Sequence, residues 1–226
     1  MTGGSSLSKA QPTVRRFWAD ENGASLVEFA LVVTLFLFFL LAIIDFGRIG
    51  HAWVSANKAT QLAARLAAVR PPVCDGVPTT NVRGLNTTPA FGALCRAGSG
   101  VCRAPTPAVI SCPGVATSAT AQEIFTAIRP LIPASTTVDH LRYSYAFDAN
   151  LGFLGGPYVP MVTVELFGPP NPPPGEPPGV PFVFISQLRF FVTALTGQSS
   201  DLGNEITMPG MSVSLPGEDL NLGTGG

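Results

Sequence analysis

The sequence is poor in charge. Only 12% of its 226 residues are charged, against about a quarter in an average soluble domain, whereas 46% are hydrophobic. The formal net charge is −1, which provides no electrostatic case for a nucleic acid partner. This shortage of charge indicates that part of the chain is surrounded by something other than water.

Motifs of the common enzyme classes are also absent. The sequence contains no G-x-S-x-G, H-E-x-x-H, Walker or G-x-G-x-x-G pattern. Its two histidines, His51 and His140, stand alone without a second ligand at a metal-binding spacing, and Asp139 lies beside His140 by chance. We therefore expect no catalytic residue, metal, cofactor or small-molecule substrate, and we expect that the chain is not an enzyme.

One long apolar run accounts for the hydrophobic excess. Residues 24–44 contain a single charge, Glu28, and from Phe29 to Ile44 the only polar side chain is Thr34. About 20 apolar residues in a helix cover the roughly 30 Å hydrocarbon core of a bilayer. A cleaved signal sequence has a shorter apolar stretch that ends at a small-residue cleavage site, and none follows here. The run therefore predicts one transmembrane helix.

Composition divides the rest of the chain into segments on both sides of this helix. Because no proline occurs from Asp45 to Val69, the helix is expected to continue beyond the bilayer and to end at Pro71 and Pro72. The segments that we expect are a cytoplasmic leader (1–23), the transmembrane helix (24–44), its projecting continuation (45–70), an extracytoplasmic disulfide and β domain (71–196) and a flexible C-terminal tail (197–226).

The 71–196 domain has the patterns of an α+β fold. Helical spacing predicts a short helix at Ala119–Arg129, and residues 71–117 are expected to be loop. Runs rich in Val, Tyr and Phe predict an antiparallel sheet of about three strands, at Val138–Phe147, Val159–Phe167 and Pro181–Ala194. The proline-rich stretch 168–179 is read as a stiff hairpin connection, with a partner-binding loop as the alternative.

The cysteines all lie C-terminal to the apolar run. They are Cys74, Cys95, Cys102 and Cys112. No C-x-x-C pair is present, so two disulfides in an oxidising compartment are favoured over free thiols or a metal site. Three pairings are open, and pairing of sequence neighbours, Cys74–Cys95 with Cys102–Cys112, is preferred because it closes small loops. Disulfides would place this part outside the cytoplasm and the N-terminus inside.

Glu28 is the most informative residue in the apolar run. A carboxylate within a membrane helix is costly and usually has a partner. If the chain were cut after Gly23, Ala24 would become the first residue and Glu28 the fifth. The new α-amine would be a cation that this carboxylate could neutralise, in the same or a neighbouring subunit. The other interpretation is that Glu28 is a snorkelling carboxylate in an ordinary signal anchor.

This arrangement resembles the start of type IV prepilins. The stretch from Gly23 to Leu31, followed by Ile44–Arg48, is similar to TadE-like proteins of tight-adherence (Flp) pilus systems, and Ala63–Ala68 is similar to the Ala-Arg-rich stretch that follows in that family. The sequence departs from that family at Thr34, where a proline is frequent, and at Ala63, where a glycine is frequent.

The resemblance implies a pseudopilin or minor pilin in a bacterial cytoplasmic membrane. A prepilin peptidase would cut between Gly23 and Ala24, and Glu28 with Phe29 would act in assembly. The implied partners are the lipid bilayer, that peptidase, other pilin-like subunits and pilus assembly proteins. The alternative is an extracytoplasmic binding module that a signal anchor merely tethers, in which case no cut at Gly23 is needed.

Overall fold

The computed structural model describes residues 22–168, 180–183, 205–218 and 220. The described residues divide into two compact units, residues 22–47 and the described residues from 48 onward. The predicted leader up to residue 21 and most of the predicted proline-rich connection lie outside the described residues.

The first element of the described residues is a long helix, α1, at Asn22–Val69. Its 48 residues begin in the first unit and end in the second. The first half is rich in Leu and Phe, and a helix bonds every interior backbone group within itself, as a bilayer requires. The helix ends just before Pro71, as predicted from the loss of a backbone donor at proline.

The second unit contains six described strands and a second helix, α2, at Ala119–Ile128. The strands are β1 Val109–Pro113, β2 Leu141–Ala146, β3 Met161–Leu166, β4 Val180–Val183, β5 Glu205–Met208 and β6 Met211–Pro216. Four of them form an antiparallel sheet in the order β1-β2-β3-β6, and β4 and β5 form a separate two-stranded sheet. Short 3₁₀ turns lie at Cys95–Ala97, Arg129–Leu131 and Val138–His140.

The core of this unit lies on one face of the sheet. Alternate residues of β2 and β3 are buried, as period-two strands with one covered face require. Small side chains of α1 and two isoleucines of α2, Ile124 and Ile128, join the same cluster. Five alanines of α1 have no exposed surface, and Thr60 among them is almost completely buried; the alanines are Ala56, Ala59, Ala63, Ala64 and Ala67. Their size lets the helix backbone come close to the residues that it covers.

The α+β class, the short helix and the antiparallel sheet are confirmed, but the strand assignment needs correction. Strand β1 lies in the stretch that was expected to be loop. Strand β6 lies in the predicted flexible tail, so the prediction of a flexible tail is wrong for Met211–Pro216. Both are edge strands whose side chains are mostly not buried, so they carry little hydrophobic signal. Backbone pairing holds β1 against β2 and β6 against β3.

Two of the predicted strands also differ in extent. Val138–His140 forms a 3₁₀ turn rather than the start of a strand, because Thr137 caps it: its backbone N–H donates to His140 Nδ1 at 3.2 Å. Strand β4 contains only the beginning of the predicted third run and pairs with β5 instead of joining the main sheet. Residues 184–194 of that run lie outside the described residues.

The expected pairing of neighbouring cysteines is wrong. The disulfides join Cys74 to Cys112 and Cys95 to Cys102. Strand β1 sets Cys112 opposite Tyr143 of β2, and the Cys74 sulfur lies 3.6 Å from the carbonyl oxygen of the same tyrosine. The sheet therefore brings Cys74 and Cys112 together. Closeness in the sequence favours a disulfide between neighbouring cysteines only in the unfolded chain.

Candidate functional site

The first half of α1 presents apolar side chains that the protein does not cover. The exposed fractions of Leu26, Phe29 and Ile43 are 72%, 69% and 69%. Among the described residues, one helix is long and apolar enough to cross a membrane, and none of its most apolar stretch is buried inside the protein. This exposure argues against a core helix and is consistent with a helix that could anchor the chain in a bilayer.

Between Phe29 and Ile44 the polar side chain, Thr34, forms its hydrogen bond inside the helix. Thr34 Oγ1 donates to the carbonyl oxygen of Ala30, one turn earlier, at 2.7 Å. A hydroxyl without such a partner would be costly in hydrocarbon. Thr34 therefore needs no partner helix and does not interrupt the predicted span.

The predicted cleavage position lies at the very start of α1. The helix begins at Asn22, so the Gly23–Ala24 peptide bond belongs to its first turn, and Gly23 is exposed. The first four N–H groups of any helix have no acceptor within that helix. A protease could open this turn at the loss of few hydrogen bonds, and glycine itself lowers the cost of unwinding.

Glu28 lies one helical turn beyond Ala24. Residues four apart share a face of a helix and are about 6 Å apart along its axis. Glu28 is exposed, and within the described part of the chain no cation pairs with its carboxylate. A cation created at the amine of Ala24 would therefore be placed on the same face as the carboxylate, with Phe29 exposed beside it.

The comparisons with known proteins concern this same helix. Residues 23–65 match the family model described as TadE-like protein. The predicted resemblance is confirmed over a stretch that starts at Gly23 and includes the apolar run. The match covers less than a quarter of the chain, and neither a curated protein nor a solved structure matches it. The match suggests a protein associated with the Tad pilus and with pilus-related partners.

The other predicted residues do not join this TadE-like segment. All four cysteines are in disulfides of the second unit, where they have structural roles. His140 accepts the hydrogen bond of the Thr137 cap, and a hydrogen bond from the Thr137 hydroxyl lowers the pKa of Asp139. Among the described residues, no group of three or more His, Cys, Asp or Glu side chains could hold a metal ion.

One feature near the end of the apolar run was missed by the sequence reasoning. Arg48, His51 and Ser55 of α1 line a cavity together with the segment 130–135. The positions of two basic residues soon after the run were visible in the sequence, but their meeting with a segment some 80 residues later depends on the fold.

Proposed function

We propose that this chain is a TadE-like pseudopilin or minor pilin required for assembly of a tight-adherence (Flp) type IV pilus. The observation that carries the proposal is the family match that begins at Gly23, on a helix whose apolar surface is exposed. The proposed partners are a prepilin peptidase, other pilin-like subunits and pilus assembly proteins. In this role the chain acts by assembly and carries out no catalysis.

In the proposed processing step the peptidase hydrolyses the Gly23–Ala24 bond. The leader leaves with a new carboxylate at Gly23, and Ala24 gains an α-amine that is cationic at neutral pH. Support comes from the position of this bond in the first turn of α1, where unwinding costs little. Glu28, one turn later, is placed to neutralise the new charge.

In the proposed assembly step the span packs against the spans of neighbouring subunits. Helices in lipid associate through close packing and polar pairs, because the lipid supplies no hydrophobic driving force between them. The exposed side chains from Leu26 to Phe46 provide the packing surface. The Glu28 carboxylate, paired with an Ala24 amine of the same or a neighbouring subunit, would fix the register.

The proposed orientation places the N-terminus in the cytoplasm and the second unit outside. Two disulfides in the second unit support this orientation, because disulfides persist mainly in oxidising compartments. The membrane is then the bacterial cytoplasmic membrane.

The deciding experiment is the intact mass of the chain extracted from membranes, with and without the host's prepilin peptidase. We expect a chain that starts at Ala24 in the first case and an uncut chain in the second. A bulky substitution, Gly23→Val, should block the cut, whereas Thr34→Ala, which removes a polar group from the same span, should leave it unchanged.

Glu28 is tested separately by counting pili. Glu28→Gln and Glu28→Ala should reduce pilus number strongly, and Thr34→Ala should not. An uncut chain in both strains, with normal pilus number for the Glu28 variants, would contradict the proposal and favour a tethered extracytoplasmic binding module. Cleavage beyond Phe46 would instead identify a secreted protein.

A further inference from the structure

Strand β1 forms one edge of the main sheet, and among the described residues nothing pairs with its outer side. Val109–Pro113 pairs with β2 on the inner side only. Both Val109 and Ser111 are exposed. The N–H and C=O groups along an unpaired edge can bond to a strand from another chain. Strand β1 is therefore a candidate site for the addition of a further strand.

The hydrogen bonds to β2 identify the backbone groups of β1 that point outward. The N–H of Phe147 donates to the carbonyl oxygen of Ala108, just before β1, at 2.9 Å. In an antiparallel pair, alternate residues bond to the partner strand and the residues between them point away from it. Even-numbered positions of β1 therefore bond to β2, whereas Val109 and Ser111 direct their N–H and C=O groups away from it.

Prolines stand at both ends of this outer edge. Pro107 and Pro113 lie three positions before and three positions after Ile110. A proline has no N–H group, so neither of them can donate a hydrogen bond across the edge. Between them, Val109 and Ser111 each offer one donor and one acceptor. The edge that can form hydrogen bonds is therefore short, and its sequence is symmetric about Ile110.

The edge also lacks the charge that commonly prevents pairing. Many proteins place a charged side chain on an exposed edge strand, which keeps other strands away. Residues 104–118 contain no Asp, Glu, Lys or Arg. Val109, which could carry such a charge, is instead an apolar side chain with an exposed fraction of 53%. Two copies of this edge can therefore approach each other without repulsion between like charges.

We propose that β1 pairs antiparallel with β1 of a second copy of this chain, so that two four-stranded sheets join into one. Two-fold symmetry about Ile110 sets Val109 opposite Ser111 of the second copy, and each such pair exchanges two backbone hydrogen bonds. In this register Pro107 lies opposite Pro113, so no N–H group is left facing a proline. The inference goes beyond the proposed function and does not depend on it.

The same register covers apolar surface on the core side of the sheet. Ile110 packs against the core but is only partly buried, because no described strand lies beyond it. In the joined sheet it stands opposite Ile110 of the second copy, in a pair without hydrogen bonds, where side chains are closest. A second copy is favoured over an unrelated strand because it matches both the prolines and this isoleucine by symmetry.

The register is tested by Ile110→Cys in the full chain, purified in detergent. All four native cysteines are in disulfides, so the introduced thiol is the free one. The Cα atoms of such a pair are about 4.5 Å apart, which suits a disulfide. We expect mild oxidation to give a covalent dimer. The matched control is Ser212→Cys, at an exposed position of the opposite edge strand β6, which should give little or none.

The pairing itself is tested by Ser111→Pro in the Ile110→Cys background. This change removes an N–H that points away from β2, so it leaves the ladder within the chain intact. It removes one bond from each side of the dimer and should slow covalent dimer formation about tenfold. Ser111→Ala should not slow it, because that variant loses only the hydroxyl that accepts from Ser144 at 2.9 Å.

A second pair of variants reports on the edge if Ser111→Pro does not fold. Val109→Lys places a charge on the exposed edge and should also slow covalent dimer formation. Val115→Lys changes an exposed valine that lies outside the strand, and should have no effect.

The remaining outcomes would overturn the inference. Equal dimer formation by Ile110→Cys and Ser212→Cys, or by Ser111→Pro and Ser111→Ala, would show that the copies meet elsewhere, as through the apolar half of α1. If Ile110→Cys forms no dimer, the second copy is refuted as the occupant. Reaction with a maleimide then shows whether the edge is open or is covered by another part of the same chain. None of these results concerns the cut at Gly23, so the proposed function is judged separately.

Discussion

Cys74 is bonded to Cys112, 38 positions later, with 5.6 Å between their Cα atoms. This bond ties the chain just after α1 to the edge strand β1. Next to it, the backbone N–H of Val73 donates to the hydroxyl of Tyr145 at 3.0 Å. The end of α1 is therefore attached to β1 covalently and to β2 by a buried hydrogen bond, and both attachments can be tested.

The two disulfides should differ in their effect on stability. Replacing Cys74 and Cys112 together by serine frees a loop of 38 residues, and the chain-entropy relation predicts a loss of about 4 kcal/mol. The Cys95 and Cys102 double variant frees only seven residues, and should lose about 2 kcal/mol. Denaturant unfolding of the full chain in detergent measures both. Equal losses would contradict this ordering.

Removal of the hydroxyl of Tyr145 should destabilise the second unit. Tyr145→Phe leaves the buried N–H of Val73 without an acceptor, which costs about 1–3 kcal/mol. The matched control is Tyr143 of the same strand, whose hydroxyl is buried and has no hydrogen-bond partner among the residues that the structure describes. Tyr143→Phe should therefore be neutral or slightly stabilising. A larger loss for Tyr143→Phe than for Tyr145→Phe in the same unfolding experiment would refute this account.

Alkaline pH should unfold the second unit. Burial raises the pKa of all three tyrosines, Tyr143, Tyr145 and Tyr158, and for Tyr143 the nearby Tyr145 adds to the effect. A raised pKa means that the folded state retains its protons longer, so this stability is intact below the unfolded pKa of about 10 and is lost as pH rises above it.

Absorbance at 295 nm, which follows phenolate formation, tests the alkaline prediction together with circular dichroism. We expect the phenolate signal and unfolding to appear together above about pH 10. Tyr143→Phe should make the stability of the chain less sensitive to pH in that range. Phenolate that forms at pH 10 without loss of structure would show that the tyrosines are accessible, contrary to their burial.

The alanine face of α1 should not tolerate larger side chains. Ala63 has no exposed surface, so Ala63→Leu would overpack the core and cost about 1–3 kcal/mol or more. Gln61→Leu adds the same side chain at an exposed position of the same helix and should leave stability nearly unchanged. The comparison is again made by denaturant unfolding. Similar stability for both variants would show that this face is loosely packed.

The proposed assembly site could be found from the sequence because its signals are local. Gly23, Ala24 and Glu28 lie within one and a half turns of a helix. Their spacing alone therefore predicts that Ala24 and Glu28, four residues apart, share a face. The cavity beside Arg48 could not be found in this way. Its apolar wall comes from residues 130–135, which reach α1 only when α2 packs into the core.

The sequence by itself determined the long helix, its end before Pro71, the short helix and the two central strands. Apolar length, proline chemistry and period-two burial are properties of the local chain. Only the tertiary structure decided the disulfide partners and the edge strands β1 and β6. A cysteine bonds to the sulfur that the sheet places within reach. An edge strand is held by backbone hydrogen bonds that every residue type except proline can donate and accept. The side-chain pattern therefore predicts neither the disulfide partners nor the edge strands.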